Sequence, residues 1–197
     1  FASAVPHRYD PSAGADLWAR LKREEDTRKY QRRGVVFATH PATDERMSDI
    51  RAAADALPDP PRERRRDEYR AAMRPFMDRW LAEELGRRRY ASSLLVIGDL
   101  LADAPAEDHG LLAFYLGEAH RRRNATGDRA KAADLYARAI ALPGAPAATW
   151  REHGFALREA GKKVDAIAAL KRYLDLAPQA DDRAFVQREL EKTGERP

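Results

Sequence analysis

The chain has 197 residues, 44% of them hydrophobic, and no cysteine, which is enough to bury a core in one medium domain or two small ones. Its 36 Lys and Arg against 32 Asp and Glu leave a formal charge of only +4. The pI near 9.4 therefore reflects a dense mixture of both signs, and nucleic acid is not the default partner. Disulfides and thiolate metal sites are excluded, the compartment stays open, and no run approaches the roughly 18 to 20 apolar residues of a membrane span. Opening on Phe1 rather than on a methionine or a leader, the chain reads as a piece trimmed from a longer polypeptide.

In an alphabet of Ala, Leu, Arg, Glu and Asp, apolar residues recur at helical spacing and β-branched runs are few, so the expected fold is all-α. A first helix is announced by Asp10-Pro11, carries Leu17, Trp18 and Leu21 as a stripe, and runs to about Arg32. Thr39-His40-Pro41 follows as an extended connector, because Pro41 biases His40 away from helical geometry. Thr43 caps a second helix with Asp44 and Glu45 in its first turn and Met47, Ile50 and Ala54 on the buried side. Pro58, Pro60 and Pro61 mark a linker over 58–66.

Beyond the linker lie repeats. Trp150, Gly154, Leu157, Gly161, Ala166, Leu170 and Pro178 match the large, small, large, turn, small, large and stop positions of a 34-residue helix pair of the tetratricopeptide type. The preceding pair shows Leu116-Gly117, Gly127, Tyr136, Ala139 and Pro143, with Leu116-Gly117 early by three residues and an insertion expected in the turn Arg123-Asn124-Ala125-Thr126. The expected organisation is a degenerate pair over 67–105, repeats over 108–143 and 146–178, and a capping helix over 181–193. Antiparallel helix pairs would stack as a superhelix, with Gly154 and Ala166 allowing close approach.

The segment Phe37-Ala38-Thr39-His40-Pro41-Ala42-Thr43-Asp44-Glu45-Arg46-Met47 resembles the Ser/Thr-His-Pro…Glu-Arg segment of the M48 family of zinc metalloproteases. Tyr9-Asp10-Pro11 with Trp18 resembles the helix leading to it, and bacterial members often carry tetratricopeptide repeats directly behind the protease domain. The resemblance implies that residues 1–57 are the C-terminal end of such a domain. It also implies that zinc belongs to the intact enzyme, bound by a His-Glu-x-x-His helix and a downstream glutamate that fall upstream of Phe1, and that the enzyme works in the periplasm or envelope. No His-Glu-x-x-His stands among the five histidines, His7, His40, His109, His120 and His153, so no catalytic residue, metal or cofactor is expected in this chain alone. His40 is then either an active-site loop residue with an accessory contact near the metal or a locally bonded loop residue. Arg46 either pairs with a carboxylate of the missing domain or is solvated.

A second candidate site lies on the first helix of each repeat, where Phe114, Glu118 and Arg121 share one face, as do Arg151, Phe155 and Arg158. Aromatic rings flanked by arginines suit an extended protein or peptide segment with acidic groups. The alternative is that Phe114 or Phe155 packs between repeats. The runs Arg64-Arg65-Arg66, Arg87-Arg88-Arg89 and Arg121-Arg122-Arg123 are interspersed with acids such as Glu63, Asp67, Glu83, Glu84 and Glu118, which reads as solvated helix faces rather than nucleic-acid binding. No helix joins a bulky apolar face to a clean basic one, so membrane association is left to the part upstream. Parted from their domain, Leu17, Trp18 and Leu21 would dock on the repeats or on a second copy of the chain. The expectation is a fragment of a zinc metalloendopeptidase with a module for binding protein substrates or partners; the rival is a free-standing adaptor without a catalytic role.

Overall fold

The computed structural model describes residues 9–27, 43–57 and 63–195. His40 with its Thr-His-Pro connector, and Pro58, Pro60 and Pro61, lie outside the described residues. The fold is all-helical, and the chain falls into two compact units, Phe1–Met77 and Asp78–Pro197. Strand pairing among the described residues is limited to an isolated bridge between Tyr9 and Glu63. No described helix is long and apolar enough to cross a membrane.

In the first unit, Asp10 organises the approach to α1 (Ala13–Thr27). Its Oδ1 accepts the Ser12 N–H at 2.9 Å and the Ser12 hydroxyl at 2.6 Å, and its Oδ2 accepts Arg64 Nε at 2.7 Å. Burial pushes this carboxyl up, but the Ser12 and Arg64 bonds prevail and hold it below its ordinary range. The second helix, α2 (Thr43–Asp55), packs against α1 with Ala15 and Ala54 buried between them. Arg46 stacks over the Trp18 ring at 4.8 Å, a cation–π contact within its own unit. Leu17 and Leu21, on the same stripe as Trp18, are 56% and 37% exposed. α3 (Arg66–Met73) continues through a 3-10 turn, Arg74–Phe76, to the end of this unit.

The second unit holds α4 (Met77–Gly86, from its second residue), α5 (Tyr90–Ala102), α6 (His109–Arg123), α7 (Asp128–Ala139), α8 (Ala148–Glu159), α9 (Lys163–Leu176) and α10 (Arg183–Glu195). From α5 onward each helix packs on the next, so short connections make them alternate in direction. α6 is the central element: Leu112, Ala113, Phe114, Tyr115, Gly117, Glu118 and Ala119 are all buried, which is why it lacks the polar stripe of a surface helix.

Two glycines close the hairpins. Gly127 (φ 80°) and Gly161 (φ 75°) take the left-handed conformation that side chains resist. They stand 34 residues apart, as do the buried pairs Ala132 and Ala166, and Tyr136 and Leu170. Close approach falls at two other glycines: a Cβ on Gly117 would sit 2.6 Å from Tyr136 Cε1, and one on Gly154 2.8 Å from Leu170 Cδ2. Gly117 precedes its turn glycine by 10 residues and Gly154 precedes its own by 7. The extra residues lie in the last turn of α6 and in Asn124–Gly127, where Asn124 takes a left-handed φ of 52° and donates its N–H to His120 O at 3.0 Å. At the far end α10 covers α9, with Leu170, Tyr173, Leu174 and Val186 forming a core against Trp150, Phe155 and Leu190.

Candidate functional site

The six residues foreseen on the first-helix faces are placed in different settings. Phe114 is 7% exposed and packs edge-on to Tyr115, ring centroids 5.1 Å apart, and 6.2 Å from the Tyr136 ring. Glu118 is 3% exposed and is the acceptor at the centre of the α6–α7 hairpin. Its Oε1 takes Arg121 Nε at 2.8 Å and the Tyr136 hydroxyl at 2.8 Å, and its Oε2 takes Arg121 Nη2 at 2.7 Å and Arg122 Nε at 3.1 Å. Burial pushes this carboxyl up; the Arg121 fork and the Tyr136 hydroxyl outweigh burial and hold it below the ordinary carboxylate range.

Arg121 also reaches Glu152 Oε2 at 3.4 Å, linking α6 to α8. One helix pair on, the pattern repeats toward α10. Arg151 donates to Glu152 at 2.9 Å and to Asp182, and lies 5.5 Å over the Tyr173 ring. Arg158 donates to Glu189 at 2.6 Å and lies 5.1 Å over Phe155, whose ring meets Phe185 at 6.1 Å. Each of the three foreseen arginines is therefore already paired with a carboxylate, and α10 with the Asp182 that precedes it meets Arg151, Phe155 and Arg158.

Arg121 and Phe155 do meet at one cavity. A groove of about 290 Å³ opens between α6, α7 and α8, with Arg121, Asn124 and Arg129 on one wall, Glu152, Phe155 and Glu159 on the other, and Ala132, Ala133 and Ala156 along its floor. The small floor residues keep it open, since alanine at a helix contact leaves a channel that a longer side chain would fill. Arg129 was not foreseen. It is the loosely held cation here, with its side chain 73% exposed, Nε 3.3 Å from Asn124 Oδ1 and Nη1 3.8 Å from Glu159. Its position in the first turn of α7, just past a turn glycine, is the sequence signal that could have found it.

Beside the groove, the α6–α7 turn is fixed by Asp128, which is fully enclosed. Its carboxylate accepts Arg123 Nε at 2.8 Å and Nη2 at 2.7 Å, the Ala125 N–H at 2.8 Å, and bonds His120 Nδ1 at 2.8 Å. The Arg123 bonds, with help from His120 and Ala125, overcome burial and hold this carboxyl well below the usual carboxylate range. A second hollow of about 500 Å³ lies where the C-terminal turns of α8 and α10 meet the start of α9, lined by Arg158, Glu159, Lys163, Glu189 and Lys192.

Among the described residues no group of three or more His, Cys, Asp or Glu side chains converges as a metal ligand set would. His120 is engaged with Asp128, and His109 Nε2 lies 3.0 Å from Ala104 O. No protein-family model, curated protein or solved structure matches the chain.

Proposed function

We propose that the second unit is a polypeptide-holding helical array of the tetratricopeptide type, and that it is the recruiting arm of a zinc metalloendopeptidase of the M48 kind whose domain ends in the first unit. The observation that carries this reading is the 34-residue recurrence of turn glycines and buried partners together with the alanine-floored groove between α6, α7 and α8. An extended segment lies along that groove with an apolar side chain on the alanine floor beside Phe155. Its carboxylate is met by Arg129, because the Arg121 fork is already taken by Glu118 and serves as a wall. The protease half rests on the resemblance of Phe37–Met47 and is supported by the outward Leu17 and Leu21 of α1, which suit a helix pair covered by a larger domain. Any zinc chemistry belongs to the part upstream, and an envelope location follows from the protease reading alone.

A photo-crosslinking residue placed at Ala133 in the groove, in the full chain incubated with unfolded casein, tests the array. Adducts at position 133 and none from a matched probe at the exposed Lys171 are expected; adducts from neither position, or equally from both, overturn the reading. The protease half is tested by extending the polypeptide upstream to its natural start. Stoichiometric zinc and chelator-sensitive cleavage in the longer form are expected, and neither metal nor cleavage would leave an adaptor.

A further inference from the structure

Basic side chains collect at one end of the second unit. Because the helices from α5 to α10 alternate in direction, the α4–α5, α6–α7 and α8–α9 turns share that end with the C-terminus of α10. Arg129 with Glu159 at 3.8 Å and Arg158 with Glu189 at 2.6 Å tie it together. Each turn carries a basic run: Arg87-Arg88-Arg89, then Arg121-Arg122-Arg123 with Arg129 and Lys131, then Lys162-Lys163. Arg87 lies 3.5 Å from Glu84, and the second arginine run is neutralised by Glu118 and Asp128. Among the described residues, Arg88, Arg89, Lys131, Lys162 and Lys163 form no ion pair, and all but Lys163 are exposed. Arg88 takes its left-handed φ of 57° where the chain closes the end of α4, its N–H donating to Leu85 O at 3.1 Å.

The α6–α7 and α8–α9 turns adjoin, since Arg129 reaches Glu159 at 3.8 Å and Arg121 reaches Glu152 of α8 at 3.4 Å. The unpaired cations thus spread over one edge made of successive helix turns. We infer that this edge is a docking surface for an anionic lipid leaflet, held by charge without insertion. The pattern suits a diffuse surface potential, which acts on each cation near the surface independently. It suits a threaded nucleic acid poorly, because no exposed aromatic ring stands in the turns for a base to stack on. Val164, 80% exposed between Lys163 and Asp165, presents an apolar side chain at the same edge. The sequence alone conceals this because it belongs to no single helix face. The inference is independent of the groove and holds whether or not the groove takes a polypeptide.

Each basic side chain near an anionic leaflet strengthens binding by about fivefold. The test is co-sedimentation of the full chain with vesicles of phosphatidylcholine containing about one-third phosphatidylglycerol, against phosphatidylcholine alone. Wild type is expected to bind the anionic vesicles only and to be released by salt. Replacing Arg88, Arg89, Lys162 and Lys163 with Gln is expected to weaken binding about a hundredfold or more. Replacing Arg138, Lys171, Arg172 and Arg188, exposed residues elsewhere on the unit, removes the same charge and is expected to change binding by no more than a few fold. If the first quadruple variant fails to fold by circular dichroism, Lys162→Gln with Lys163→Gln alone is expected to cost about 25-fold. No binding by wild type, or equal loss in the two quadruple variants, overturns the inference. So does tighter binding of a labelled 20-nucleotide oligonucleotide through the same four residues, which assigns the edge to nucleic acid.

Discussion

Asp128 offers the sharpest test of how the α6–α7 turn is held. Asp128→Ala removes the acceptor of four bonds from Arg123, His120 and Ala125 at 2.7 to 2.8 Å, in a side chain with no exposure. Breaking a buried charge pair by deleting one partner costs about 3 to 5 kcal/mol. Here the Arg123 side chain is 34% exposed and that of His120 13%, so Arg123 regains water and the cost falls to the low end, about 3 kcal/mol. For a unit of this size that is a drop in Tm of about 10 °C. Asp128→Asn keeps an acceptor for the Ala125 N–H and loses about half as much. The pH dependence follows from the sign of the shift. A carboxyl held below its unfolded pKa contributes fully above about pH 4 and loses that contribution as pH falls toward its folded pKa. The gap between wild type and Asp128→Ala in urea midpoint is therefore expected to be full at pH 7 and to shrink in acid. A variant within about 0.5 kcal/mol of wild type at pH 7, or a gap that widens in acid, would refute the reasoning.

Thr149→Val is expected to raise stability by about 1 kcal/mol in urea melts, because Thr149 is fully buried and its Oγ1 has no hydrogen-bond partner among the described residues; a loss would mean that the hydroxyl is satisfied in solution. Tyr136→Phe removes the 2.8 Å bond to Glu118 and is expected to cost about 1 to 2 kcal/mol, with the Glu118 carboxyl titrating higher by NMR. Gly110→Ala is expected to cost about 3 kcal/mol, since the new Cβ would stand 2.5 Å from Pro143 O and Ala145 N, backbone atoms that cannot swing aside; thermal melts within about 1 °C of wild type would contradict that packing.

The helices were legible because their signals are local: the acidic first turn of α2 and the turn glycines at 127 and 161 depend on neighbours a few residues away. By contrast, α1 starts at Ala13 and not at Pro11, because Asp10 turns the chain through Ser12, and Thr43 lies inside α2 as its first residue and not before it as a cap. Close approach at Gly154 was legible from its place in the pattern, although its near neighbour is Leu170; the Gly117–Tyr136 contact was not, because Gly117 stands 37 residues before Gly154 and so falls out of the 34-residue period. What the sequence could not assign was the partner of each charge. Spacing put Glu118 and Arg121 on one face but did not reveal that Glu118 is buried and takes Arg121, Arg122 and Tyr136 together. It also did not reveal that Asp182 and Glu189, 31 residues beyond Arg151 and Arg158, close over those arginines. Arg129 and Ala133 escaped notice because a groove between three helices is lined by residues that share no single helical face.

The most direct measurement fills that groove. Ala133→Trp places a large side chain on the floor of the 290 Å³ cavity without altering charge, and binding of fluorescein-labelled unfolded casein is followed by anisotropy, with Lys171→Trp on an exposed face as control. The account predicts that wild type and the control bind alike, and that Ala133→Trp binds at least about tenfold more weakly with its melting temperature unchanged. Undiminished binding by Ala133→Trp, or no binding by wild type, would contradict it.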